Sequence, residues 1–174
     1  MKSMRLIGSL SYIMLVMVIS AVAQPSSSPT LVLDSAGRPL QRGVEYYINP
    51  AITGNGGRFT LIDRNDSCPF HVGQENGSGL GLLVIFTPFV EGETVIRENR
   101  DFKVVFSAAT ICVQSTDGKK ASVGGDIYQI SWCPTDVCPT CRFNCGTAGN
   151  LVENGKRLLA LDGNVIPVTF ERRA

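Results

Sequence analysis

Asp101-Phe102-Lys103-Val104-Val105-Phe106 and Ile127-Tyr128-Gln129-Ile130-Ser131-Trp132 decide the fold class of this chain. Successive side chains of an extended strand point to opposite faces. Phe102, Val104 and Phe106 therefore share one face with Lys103 on the other, and Tyr128, Ile130 and Trp132 oppose Gln129 and Ser131. One face is core and the other meets water. Outward from these two stretches, runs rich in β-branched and aromatic residues recur at 30–33, 45–48, 58–62, 82–86, 94–97, 110–114, 157–161 and 165–170. Glycine, proline and Asn/Asp clusters punctuate them, and almost nothing after residue 24 has a helical period. The pattern predicts an all-β protein, a sandwich or a closed barrel; periodicity does not choose between them. Leu31-Val32-Leu33-Asp34 echoes Leu159-Ala160-Leu161-Asp162, which is compatible with a repeat-built barrel whose first and last strands meet.

Residues 1–23 read as a secretory signal peptide. Lys2 and Arg5 precede the apolar run Tyr12–Ile19, and Ala21-Val22-Ala23 supplies a small-x-small cleavage site. The apolar stretch is shorter than the ~20 residues of a membrane span. Residues 24–174 then form one domain, with 14 Lys+Arg against 15 Asp+Glu. Such a balance offers no basic field, so neither nucleic acid nor an anionic membrane is an expected partner. Asn65-Asp66-Ser67 and Asn76-Gly77-Ser78 satisfy the N-glycosylation pattern in polar stretches that read as surface loop.

Six cysteines behind a secretory leader read as disulfides. Cys68 and Cys112 stand alone, 44 positions apart, while Cys133, Cys138, Cys141 and Cys145 crowd into CPTDVCPTCRFNC. A Cys68–Cys112 bridge would be worth roughly 4 kcal/mol by loop entropy. Within the cluster, Cys133 with Cys145 would leave Cys138 and Cys141 as a small inner loop, but six cysteines allow about fifteen connectivities. A tetrahedral zinc site is the rival for the cluster, disfavoured by an oxidising compartment. Cys138-Pro139-Thr140-Cys141 also has the spacing of a redox motif, but lacks the βαβ context that would depress a thiol pKa.

No catalytic signature is present. His71 is the one histidine and is expected in a loop; no G-x-S-x-G elbow, phosphate-cradling glycine loop or H-E-x-x-H accompanies it. The chain is not expected to be an enzyme, and no metal or cofactor is implied. A crosslinked β scaffold offers loops for recognition, and 86–93, Phe-Thr-Pro-Phe-Val-Glu-Gly-Glu, lies between two apolar strands about midway between Cys68 and Cys112.

The chain resembles the plant Kunitz-type (legume trypsin inhibitor) family over nearly all of residues 24–174. The matching residues are Val32-Leu33-Asp34 with Gly37, Pro39 and Leu40, Tyr46-Tyr47-Ile48, Cys68-Pro69 and Phe102–Phe106. They continue with Thr110–Ser115, Tyr128–Pro134, the cysteine cluster and Arg157–Leu161. The inner C-x-x-C loop resembles the miraculin-like branch in particular. The resemblance implies a β-trefoil and the bridges Cys68–Cys112, Cys133–Cys145 and Cys138–Cys141. It also implies a secreted, extracellular or vacuolar inhibitor of serine proteases, acting in plant defence through a substrate-like loop. That loop falls on Pro88, Phe89, Val90 and Glu91, with Val90 as the primary specificity residue and Glu91 after the scissile bond.

Three departures from the family pattern bear on function. Trypsin inhibitors of the family carry Arg or Lys where this chain has Val90, so a non-tryptic target is expected. Arg42 stands where the family places a loop-bracing Asn. Between Val113 and Tyr128 lie only 14 residues, including the turn-like Asp117–Lys120, where the family runs several strands. At ~5 residues per strand this gap holds one short strand or a small hairpin. The middle of the trefoil, in its third repeat, is thus shortened, with a risk of unpaired edges. The alternative function is a non-inhibitory, miraculin-like storage or ligand-binding β-trefoil.

Overall fold

The computed structural model describes residues 29–174 apart from 53, 55, 65–67, 69, 78, 109–117, 125–126, 134–137, 139, 143 and 162, with 118–124 described by backbone alone. The expected signal peptide, Asn65, Cys112 and the run 110–114 lie outside the described residues. Twelve strands and no helix occur among the described residues: β1 Glu45–Pro50, β2 Phe59–Ile62, β3 His71–Gln74, β4 Val84–Pro88, β5 Asp101–Phe106, β6 Gly118–Gly124, β7 Ile127–Trp132, β8 Gly146–Thr147, β9 Gly149–Glu153, β10 Lys156–Ala160, β11 Asn164–Val165 and β12 Val168–Arg172.

Strands β12, β1, β4, β5, β6 and β7 pair in that order, and β7 returns to β12 through Val168 and Tyr128, closing a barrel with β8 appended to β7. Every pairing in it is antiparallel. Closure removes the open edges that would otherwise template association. The first and last strands do meet, with Ile48 opposite Phe170. A second sheet, ordered β11-β9-β10-β3-β2, accompanies the barrel.

The predicted alternation appears in β5 and in the first part of β7: Phe102, Val104, Phe106, Tyr128 and Ile130 are buried while Lys103 and Gln129 are exposed, but it fades at Ser131 and Trp132, both half-buried. Phe86 of β4 packs edge-on against Tyr46, Phe102 and Phe170, with centroids 5.9, 5.6 and 5.3 Å away. Each such contact adds about 0.5–1.5 kcal/mol beyond burial, and here they knit β1, β4, β5 and β12 at one point. Outside the barrel wall, Arg58 donates to Glu171 at 2.7 Å and to Asn49 at 3.0 Å while stacking 4.1 Å over Tyr47, joining β1 to β12.

Several sequence expectations need correction. The runs at 30–33 and 94–97 form isolated bridges rather than strands, Leu31 with Arg97 and Gln41 with Val95. The run 165–170 breaks into β11 and β12 around Pro167, which has no N–H for a ladder. His71, expected in a loop, opens β3 opposite Ile62. Gly118–Lys120, expected as a turn, belongs to β6. That strand pairs with β5 on one side and β7 on the other, so the shortened middle leaves no unpaired edge there.

Candidate functional site

The segment after β4 is built by a change in what the backbone can bond to. Pro88 is buried at the strand's end, paired opposite Phe102. The chain then turns outward. The Phe89 N–H donates to the Asp101 carbonyl at 3.2 Å, and the Glu93 N–H donates to the Val90 carbonyl at 3.3 Å, closing a turn over Val90–Glu93. Gly92, at φ +80°, takes the left-handed position within it. On the far side the Arg42 N–H donates to the Thr94 carbonyl at 2.8 Å, and Gln41 bridges Val95.

These bonds leave the side chains facing water. Phe89 is 43% and Val90 40% exposed, and Glu91 is exposed as well. Of the four loop residues picked out from sequence, Pro88 is the buried anchor and the other three form the presented surface. Arg42 supports the loop through its backbone. Its exposed side chain makes no hydrogen bond or ion pair among the described residues. Sequence reasoning missed two members of the support. One is the Asp101 carbonyl; the other is Arg97, whose Nε lies 3.5 Å from Glu93 Oε1. The opposite charges four positions apart were visible in the sequence, but such a spacing is common in exposed chain and carries little signal without a helix.

The stretch that carries Arg42 is itself ordered by a polar turn. Asp34 is buried, and its carboxylate accepts hydrogen bonds from the Ala36 and Arg38 N–H groups and the Arg38 guanidinium, each at 2.9 Å. Burial alone raises this carboxyl, but the hydrogen bonds from Arg38 and Ala36 outweigh it and hold the group below its ordinary value. The hydroxyl of Tyr46 accepts from the Gln41 N–H, and that of Tyr128 accepts from the Leu33 N–H, both at 2.9 Å. Buried aromatic rings thus fasten the N-terminal segment to the barrel.

Elsewhere, Cys133 bridges Cys145 and Cys138 bridges Cys141, with Cα separations of 4.7 and 5.4 Å. Four thiols of the proposed zinc alternative are therefore spent in disulfides. Cys68 is also disulfide-bonded; its expected partner Cys112 lies outside the described residues. Asn76 is exposed, and its side-chain amide donates to the Gly155 carbonyl at 3.3 Å.

A family model described as trypsin and protease inhibitor, the legume Kunitz type, matches residues 32–121 and 118–172. Kunitz type trypsin inhibitor 106 of Medicago truncatula is 39% identical, with 98% of this chain and 97% of that protein covered. That alignment runs over 204 positions against the 174 residues of this chain, so the relative carries additional residues. Among solved structures, a bifunctional α-amylase/subtilisin inhibitor of Oryza sativa superposes with a TM-score of 0.70 at 27% identity, covering 84% of this chain and all of that one. Alocasin, a protease inhibitor from giant taro, gives 0.72 at 25% identity, covering 83% and 99%.

Proposed function

The chain belongs to the Kunitz-type family of trypsin and protease inhibitors, β-trefoil in fold, and from that premise we propose that it is a secreted inhibitor of a non-tryptic serine endopeptidase. The observation that carries this reading is the loop itself. Val90 heads a turn pinned at both ends by backbone hydrogen bonds while its side chain and those of its neighbours stand in water. A segment fixed in one shape before binding loses little entropy on entering a protease cleft. The same fixation keeps a cut bond's ends together, so that hydrolysis is slow and rejoining easy.

Val90 sets the target class. A trypsin-like pocket has a buried carboxylate that valine leaves unpaired, at a cost of roughly 1–3 kcal/mol. A small apolar pocket of the elastase kind accepts it. Secretion rests on the leader at 1–23 and on a disulfide set suited to an oxidising compartment. Exposed Asn76 is the proposed glycan acceptor within the described residues. Titrating the purified mature protein against elastase, chymotrypsin and trypsin tests the proposal: elastase is inhibited and trypsin spared. Tight trypsin inhibition that survives Val90→Gly would overturn it.

One observation favours the second reading, a non-inhibitory β-trefoil. The Arg42 side chain, at the position expected to brace the loop, engages nothing among the described residues. That reading predicts inhibition of none of the three enzymes.

A further inference from the structure

We propose that Arg97 is the positioning residue of the Val90 loop, and that it works by fastening the loop to the chain's N-terminal segment, so that residues 29–30 belong to the inhibitory site although they lie far from it in sequence. The inference rests on the loop being the presented surface, as above. It adds what holds that surface and what would release it.

The geometry is a two-way clamp. The Arg97 Nε faces the Glu93 carboxylate at 3.5 Å, and its Nη1 donates to the Pro29 carbonyl at 2.8 Å. A guanidinium carries donors in a rigid plane, so one side chain can face two partners at once; an ammonium has no such fork. The two side chains of the ion pair are only 28% and 25% exposed, which shields the pair from the screening that weakens surface pairs. Glu93 also supplies the N–H that closes the turn on Val90. Its side chain and its backbone therefore act on the same turn, and restraining one restrains the other.

The N-terminal end of the clamp is equally built. The Glu98 N–H donates to the Thr30 carbonyl at 2.8 Å, the Val32 N–H to the Ile96 carbonyl at 3.0 Å, and Leu31 bridges Arg97. Residues 94–98 thus have the loop on one side and the 29–32 segment on the other. Arg42 contributes its backbone N–H alone to this arrangement, which leaves Arg97 as the side chain among the described residues that spans loop and N-terminal segment. Removal of residues through Thr30, itself exposed, would take away the acceptors of both Arg97 and Glu98. The loop would then be loosened without a change in its own sequence.

The test is amide hydrogen exchange of the mature protein, residues 24–174, beside three variants: Arg97→Gln, a chain starting at Leu31, and the two combined. The Glu93 amide reports the turn; the Tyr47 and Glu171 amides, a hydrogen-bonded pair of the β1–β12 ladder, report the barrel. The expected result is Glu93 exchange about fivefold faster in each single variant, with no further gain when they are combined and the barrel amides unchanged. An unchanged Glu93 amide overturns the inference. So does an equal acceleration of all three amides, which would mean a general loosening. The readout needs no protease. If the unaltered protein inhibits nothing but the exchange result holds, the proposed function fails and the clamp stands.

Discussion

Phe86 and Val90 belong to one short stretch of chain and are held by different means. Phe86 is fully buried, with three aromatic rings packed against its edges and faces. Val90, just past Pro88, is 40% exposed and is fixed through its carbonyl and through neighbours that hydrogen-bond to Asp101 and Arg42. A side chain offered to a partner cannot be held by its own burial. Its position must come from the backbone and from side chains around it, and the barrel supplies the wall to which those bonds attach. Stability and recognition thus fall to separate residues, which substitutions in one set at a time can test.

The largest effect is expected on the barrel side. Phe86→Ala should destabilise the protein by about 3–5 kcal/mol, seen as a lowered urea midpoint, since it removes the ring shared by β1, β4, β5 and β12. Any loss of inhibition should track the unfolded fraction. Replacing Cys133 and Cys145 together by serine should cost roughly 2–3 kcal/mol by the loop-entropy model, read as a lower melting temperature with the cooperative transition retained.

Asp34→Asn comes next, at about 1–3 kcal/mol at neutral pH, because Asn cannot accept the Arg38 guanidinium and two N–H groups as an anion does. Its pH dependence follows from the depressed carboxyl. The folded pKa lies below the unfolded one, so the stabilisation is present above roughly pH 4 and is lost as pH falls through the folded value. Melting the wild type and Asp34→Asn from pH 7 to pH 2 should show their difference shrinking below about pH 4. A gap that stays undiminished from pH 4 down to pH 2 would mean that the carboxylate is not its source.

The smallest effect on stability belongs to the loop. Val90→Arg should shift the melting free energy by no more than about 0.5 kcal/mol, as an exposed substitution does. In the same protein it should raise trypsin affinity at least tenfold, by placing a cation where the trypsin pocket carries its carboxylate. A Val90 variant that unfolds the protein would break the separation drawn between the two regions.

The barrel was largely legible in the sequence, because a strand buried on one face writes its alternation directly, as in Phe102-Lys103-Val104 and Tyr128-Gln129-Ile130. β3 and β9 were not. His71-Val72-Gly73-Gln74 contains a glycine and polar residues that read as loop, and its pairing with β10 is decided by long-range register. β9 instead joins β10 through a two-residue turn, Asn154-Gly155, both at positive φ, a local hairpin signal that the strand pattern alone passed over. β6 was hidden for a related reason: Gly118-Lys119-Lys120 has turn chemistry, and the need to close the barrel overrides it. At the site, the presented residues were found through resemblance and placement between strands. The support was not, since a carbonyl such as that of Asp101 has no residue signature and the Arg97 clamp depends on where Pro29 lies in space.

If the loop works as a tethered substrate, the bond after Val90 is the one a protease meets first. Prolonged incubation of the mature protein with pancreatic elastase, followed by mass mapping of the products, tests it most directly. One slowly accumulating cut between Val90 and Glu91, in an otherwise intact barrel, is the expected result. A first cut at any other bond, or rapid degradation of the whole chain, would contradict it.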